Sequence, residues 1–63
     1  MEKYRHFKGG MYELLGIGKN SETEEEMVVY KSTETGQIWI RPKEMFFEKV
    51  EVDGQKVDRF EKI

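Results

Sequence analysis

The chain has 63 residues, no cysteine and a formal net charge of −2 at neutral pH. This length allows one small domain with a thin core, and the lack of cysteine excludes disulfides and thiolate metal sites. Because the net charge is negative, the chain as a whole lacks the excess of positive charge that is typical of nucleic-acid-binding proteins. We therefore expect one domain over residues 1–63, without a membrane-spanning segment and located in the cytoplasm.

The first half of the chain is predicted to contain two strands behind a polar and aromatic arm. The arm, Tyr4–Gly10, ends at a glycine pair, and it either binds a partner or closes the fold. Met11–Ile17 is a predicted strand in which Gly16 marks a bulge or bend. The glutamate-rich stretch Lys19–Glu26 is predicted to be a solvated loop, and Met27–Lys31 a second strand.

A tight turn at Ser32–Gly36 joins the second strand to a third, Gln37–Arg41, in which apolar and polar residues alternate. A two-residue turn tip sets a register with three cross-strand pairs: Tyr30–Trp39, Val29–Ile40 and Val28–Arg41. This register predicts a core face formed by Met27, Val29, Ile38 and Ile40. The opposite face then holds Tyr30, Trp39 and Arg41.

The last third of the chain is predicted to be a helical turn followed by a hairpin. Pro42 cannot donate to a ladder but suits the first turn of a helix, so residues 42–46 are predicted to form one helical turn. Asp53-Gly54 favours a type I′ turn. The predicted hairpin pairs are Val52–Gln55, Glu51–Lys56, Val50–Val57, Lys49–Asp58, Glu48–Arg59 and Phe47–Phe60.

These elements indicate a mainly β fold. About five short strands and one short helical turn near residues 42–46 favour a small SH3-like roll or partly closed barrel. An open α+β meander is the alternative. A core of this size leaves a thin stability margin, so we expect a monomer or a weak homodimer.

The chain offers little machinery for catalysis. A nucleophile needs a neighbouring base and an orienting group, and His6 is the only histidine in the chain. With thirteen acidic residues, some carboxylates will lie close together by chance, so such pairs do not distinguish an active site from an ordinary charged surface. We expect no catalytic residues, no cofactor and no metal.

The candidate binding residues fall into two groups. Tyr30, Trp39 and Arg41 share the face opposite the predicted core, and these residue types are enriched at binding hot spots. The alternative is that another element covers them. His6 and Lys8 belong to a basic and aromatic cluster of a kind that contacts RNA, an anionic metabolite or a peptide. His6 could instead serve only to tie the arm across the fold.

Six motifs span nearly the whole chain: Y-R-H-F-K-G-G at Tyr4–Gly10, Y-E-x-L at Tyr12–Leu15, S-E-T at Ser21–Thr23, V-V-Y at Val28–Tyr30, W-I-R-P at Trp39–Pro42 and M-F-x-E-x-V at Met45–Val50. In these motifs and their order the chain resembles the bacterial family known as domain of unknown function 1653. The resemblance implies a compact SH3-type small barrel and no established activity. Asn20 stands where the family commonly carries a histidine, which weakens any histidine-dependent site.

Two functions remain open from the sequence. The favoured one is a non-enzymatic binding module that holds a peptide, protein or RNA segment through Trp39, Tyr30 and Arg41, with His6 and Lys8. The alternative is a small enzyme or enzyme accessory that acts on a charged metabolite in a cleft near Arg41 and the loop 21–26.

Overall fold

The computed structural model describes all 63 residues and contains seven strands and one short helix. The elements are β1 Lys3–His6, β2 Met11–Lys19, β3 Glu26–Ser32, β4 Ile38–Pro42, α1 Lys43–Phe46, β5 Lys49–Val52, β6 Gln55–Asp58 and β7 Phe60–Lys62. The mainly β class and the helical turn before the last hairpin are confirmed. No helix is long and apolar enough to cross a membrane.

Five strands form one antiparallel sheet in the order β4-β3-β2-β1-β7, and β5 pairs only with β6. The sheet therefore has two free edges, β4 and β7, and it does not close into a barrel. Closure requires hydrogen bonding between the first and last strands. Here β5 and β6 fold back on each other, and only the three residues of β7 extend the sheet.

The N-terminal arm is an inner strand of the sheet. β1 pairs with β2 on one side and with β7 on the other. Gly9 and Gly10 both have positive φ angles, which lets the chain reverse between β1 and β2. Residues 4–6 therefore lie within the sheet between β2 and β7, and residues 7–10 form the turn that follows.

The predicted irregularity in β2 is confirmed. Leu14 pairs with Tyr30 and Gly16 with Val29, so the register shifts at Leu15, which has no opposite partner on β3. Such a bulge bends the strand and increases its twist.

The register between β3 and β4 is confirmed, but the assignment of its faces is wrong. Tyr30 pairs with Trp39 and Val28 with Arg41, as predicted. The predicted core face is the outer one: Ile38 is 52% exposed and Ile40 is 63% exposed. Alternation fixes which residues share a face, whereas burial depends on which face the later elements α1 and β7 cover.

The core is built mainly from aromatic rings on the opposite face of the sheet. Its buried apolar members are Tyr4, Val28, Tyr30, Phe46 and Phe60, with Tyr12 and Leu14 packed against them. The Phe46 and Phe60 rings stack 4.2 Å apart at an angle of 6°. The α1 turn and the first residue of β7 thus place two rings against the tyrosines of the sheet.

The last hairpin is confirmed in its inner part. Four of the predicted pairs form, from Val52–Gln55 to Lys49–Asp58, and the turn residues Asp53 and Gly54 both have positive φ angles. The next pair persists through a bond from the Arg59 N–H to the Glu48 carbonyl. The predicted Phe47–Phe60 pair is wrong, because Phe60 leaves the hairpin, joins β7 and pairs with His6.

Candidate functional site

The outer edge of β4 pairs with no other strand. The Ser32 N–H donates to the Gln37 carbonyl at 2.9 Å. Bonding direction alternates along an antiparallel strand, so Trp39 and Arg41 direct their main-chain groups towards β3. Ile38 and Ile40 therefore direct theirs away from the sheet, where the Ile38 carbonyl accepts a hydrogen bond from the side-chain Nε2 of Gln37 at 3.1 Å. Pro42 occupies the next outward position, where its missing N–H removes no sheet bond.

The side chains along this edge are large and apolar on both faces. Ile38 and Ile40 lie on the outer face, and Trp39, which is 50% exposed, lies on the inner face. Natural proteins usually protect such an edge with charged side chains or a covering segment. No strand of this chain pairs with the outer edge of β4, and Arg41 is the one charged residue of the strand.

Arg41 is half-buried at the end of β4, and no carboxylate pairs with it. Its Nε lies 3.4 Å from the Tyr30 hydroxyl oxygen, and its guanidinium carbon lies 6.0 Å from the centre of the Phe60 ring. Six ion pairs form in the structure, and none involves Arg41. The guanidinium is therefore held in place by aromatic groups, and no carboxylate of the chain neutralises its charge.

Tyr30 does not present a contact surface. It is only 4% exposed, and its ring packs against the rings of Tyr12, Phe46 and Phe60. The same register that places it beside Trp39 places it under the core rings. Its hydroxyl oxygen accepts a hydrogen bond from Arg41 Nε, and its ring is enclosed by the core.

His6 lies at the rim of the aromatic core. Its ring centre is 4.8 Å from that of Phe60 and 4.7 Å from that of Phe7. The Lys8 main-chain N–H donates to its Nδ1 at 3.1 Å, so in the neutral ring the proton resides on Nε2. Burial lowers the pKa of His6, and the positive charges of Arg41, Arg59 and Lys8 lower it further.

This environment predicts how His6 titrates. An NMR titration of its ring protons should give a pKa below the ordinary 6.5, and Arg41→Met should raise this pKa because one neighbouring positive charge is removed. The unfolded chain then binds the proton more readily than the fold. Stability should therefore fall as the pH drops through 6.5 towards the lowered pKa, and it should level off at higher pH. An unchanged pKa in Arg41→Met would contradict this electrostatic picture.

The structure brings together only part of the predicted site. Arg41 and His6 both contact the Phe60 ring, from β4 and β1 respectively. Trp39 makes none of the ring contacts within the core, and it stands apart at the sheet edge. Lys8 is exposed in the β1–β2 turn, with its Nζ 5.7 Å from the centre of the Phe7 ring.

The cleft that the enzyme hypothesis needs does not form around Arg41. The loop 21–26 lies near two shallow depressions. One, of about 340 Å³, is on the outer face beside Ser21, Met27 and Ile40. The other, of about 280 Å³, is lined by acidic residues and Lys43. Arg41 lines neither depression.

The largest cleft, of about 440 Å³, lies between the β1–β2 turn and the β5–β6 hairpin. Its charged walls are already paired: Arg5 contacts Glu61 at 2.9 Å, and Asp58 contacts Lys49 at 3.6 Å. No group of three or more histidine or acidic side chains is arranged to hold a metal ion. The cleft is therefore lined by paired charges, by apolar side chains and by His6.

Sequence reasoning missed the isoleucines of β4 as site residues. Both were assigned to the core, although one signal for an edge strand was present. Pro42 follows the alternating run directly, and proline in a sheet is confined to edges, strand starts and bulges. An edge assignment would have left Ile38 and Ile40 as candidates beside Trp39.

Comparison with known proteins gives a family and no activity. The family model described as "Protein of unknown function (DUF1653)" matches residues 2–62. Searches of the curated proteins and of the solved structures found no match.

Proposed function

We propose that this chain, which belongs to the DUF1653 family of proteins of unknown function, is a non-enzymatic module that binds an extended segment of a protein partner. The segment would lie along β4 and add a strand to the sheet. We interpret the fold as an SH3-like roll that stays open at this edge, and the open edge is what the partner would use.

One observation carries the proposal: the outer edge of β4 pairs with no other strand, and the strand presents three consecutive half-exposed apolar side chains, Ile38, Trp39 and Ile40. In strand addition, main-chain hydrogen bonds supply affinity, and alternate side chains select the partner. Trp39 offers a large, rigid contact surface of the kind enriched at hot spots. The outer face offers the two isoleucines to alternate residues of the added strand.

Charge favours a protein segment over RNA. The six ion pairs each use a different cation out of eleven. Of the five left unpaired, only Arg41 lies on β4, and the others are Lys3, Lys8, Lys19 and Lys56. Affinity for RNA depends on neutralising many phosphates together. A single free guanidinium beside an apolar edge suits an apolar peptide with one acidic residue.

Selection from a library of random peptides displayed on phage tests the proposal. We expect enriched peptides in which apolar residues alternate and an acidic residue follows at the Arg41 end. Titrating a selected peptide into the ¹⁵N-labelled chain should shift the amide signals of residues 37–41 in a saturable way. The affinity should change little as salt rises, because most of the contact is apolar.

An oligouridylate provides the opposing arm of the same experiment. The proposal predicts no saturable shifts at β4 with this RNA. If the RNA binds there with an affinity that falls steeply as salt rises, the partner is a nucleic acid and the proposed protein partner is wrong. A selection that enriches no peptide, or enriches peptides that shift only residues outside β4, would contradict the proposed edge.

A further inference from the structure

We propose that a second copy of this chain is itself a partner for β4, so that two copies pair antiparallel along this strand around a two-fold axis at Trp39. The two five-stranded sheets would then join into one sheet of ten strands. This inference rests on the proposed role of β4 as a docking edge, and it names one occupant of that edge.

The main chain of β4 is self-complementary in this arrangement. With Trp39 opposite Trp39 of the second copy, Ile38 faces Ile40 of the second copy, and the reverse pair forms by symmetry. Ile38 and Ile40 are the residues whose main-chain groups point away from the sheet. Each of the two Ile38–Ile40 pairs can therefore exchange both of its hydrogen bonds across the axis, once the exposed Gln37 side chain releases the Ile38 carbonyl that it contacts at 3.1 Å.

The side chains match as well. The isoleucine pairs would cover each other on the outer face, where Ile38 and Ile40 are now exposed. The two Trp39 rings would meet on the inner face as a pair without main-chain bonds, the kind that brings side chains closest. Arg41 would face Gln37 of the second copy, so no like charges are opposed along the strand.

The other free edge does not suit the same arrangement. β7 has only three residues, of which Glu61 and Lys62 are charged. Pairing β7 with itself around Glu61 would place two carboxylates opposite each other, which is destabilising. Charged side chains on a short edge strand are a common protection against such pairing. Self-association should therefore use β4 and leave β7 free.

The area available makes the dimer weak. Half of one tryptophan and two half-exposed isoleucines offer on the order of 250 Å² of apolar surface per copy. Two such edges with their main chains stay below the roughly 1,200 Å² of stable complexes. The dimer should thus form reversibly at high protein concentration, and the edge should be open at low concentration.

Sedimentation equilibrium of the full chain tests the proposal. Between about 10 μM and about 1 mM, the weight-average mass should rise from 7.6 kDa towards twice that value, 15.2 kDa. A mass of 7.6 kDa throughout this range would overturn the self-pairing. If the chain stays monomeric but binds selected peptides at β4, only the self-pairing fails. If it dimerises through β4 but binds no peptide at low concentration, the proposed function fails instead.

Two matched lysine variants locate the interface. Ile38 and Ile63 are exposed to 52% and 53%, and Ile63 follows β7 at the other edge. Ile38→Lys should weaken self-association about tenfold or more, because a lysine on an edge strand opposes pairing. Ile63→Lys makes the same change of charge and should leave association unchanged. Association that survives Ile38→Lys, or that Ile63→Lys weakens equally, would overturn the assignment to β4.

Trp39 supplies a spectroscopic check of the register. It is the only tryptophan in the chain, so two indole rings can meet only between copies. The far-ultraviolet circular dichroism should show an exciton couplet that grows with concentration in step with the mass. Ile38→Lys should remove the couplet, and Ile63→Lys should retain it. Dimerisation through β4 without a couplet would overturn the register centred on Trp39.

Discussion

Replacing Phe46 by alanine is expected to unfold the chain. Phe46 is completely buried, and its ring contacts those of Tyr4, Tyr30 and Phe60. A Phe→Ala change in a core costs about 3–5 kcal/mol, and a core of this size supplies only about 3–5 kcal/mol in total. The variant should therefore have no cooperative urea transition, and its circular dichroism spectrum should be that of an unfolded chain.

Phe47→Ala is the matched control for this change. Phe47 follows directly in the chain and is 45% exposed, with ring contacts to Tyr4 and Phe46 only. Its loss should cost about 1 kcal/mol and leave a cooperative transition. If Phe46→Ala kept the urea midpoint of the original chain, the stacked aromatic core would not be the source of stability.

Replacing Trp39 by alanine is expected to abolish most peptide binding and to leave the fold intact. Hot-spot tryptophans cost about 2 kcal/mol or more on truncation, which corresponds to a loss of about 30-fold in affinity. Trp39 makes no ring contact with the core. The free energy of unfolding should therefore change by no more than about 0.5 kcal/mol.

Isothermal titration of a selected peptide measures the affinity of the Trp39→Ala variant, and urea unfolding measures its free energy of unfolding. Phe47→Ala again serves as the control, because it removes an aromatic ring of similar exposure away from β4. That variant should bind the peptide with unchanged affinity. If Trp39→Ala bound as tightly as the original chain, or if Phe47→Ala weakened binding equally, Trp39 would have no special part in recognition.

Local pairing could be predicted from the sequence because short-range signals determine it. Asp53-Gly54 favours a type I′ turn, which has positive φ at both central positions. This two-residue turn fixes the register of β5 and β6. The short turn before β4 fixes the pairing of Tyr30 with Trp39 in the same way. In both hairpins the strands meet within a few residues of the turn, so the register follows from counting.

The faces and the outer strands could not be predicted, because they depend on distant parts of the chain. Tyr30 and Ile40 lie on opposite faces, and the sequence pattern predicted the face of Ile40 as the core. Phe46 and Phe60 decide between them by packing on the tyrosine side. β1 is short and rich in charge, and it becomes an inner strand only because β7 returns to pair with it.

The residues of the candidate site also differ in whether local sequence signals or distant parts of the chain determine their position. Arg41 was predicted from its residue type, and the structure keeps it as a free charge held against Phe60. Tyr30 was predicted from the same face and lies in the core. The isoleucines of β4 are candidate binding residues because their strand has no neighbouring strand on one side, which only the structure shows. Whether a strand lies at an edge is decided by the whole sheet, which local patterns do not describe.

Amide hydrogen exchange at Ile38 and Ile40 tests the role of β4 most directly. In dilute protein these two amides should exchange faster than those of Trp39 and Arg41, which bond to β3. At saturating concentrations of a selected peptide, Ile38 and Ile40 should become as well protected as their neighbours. If both amides are equally fast with and without bound peptide, no strand is added at β4, and the proposed binding edge is wrong.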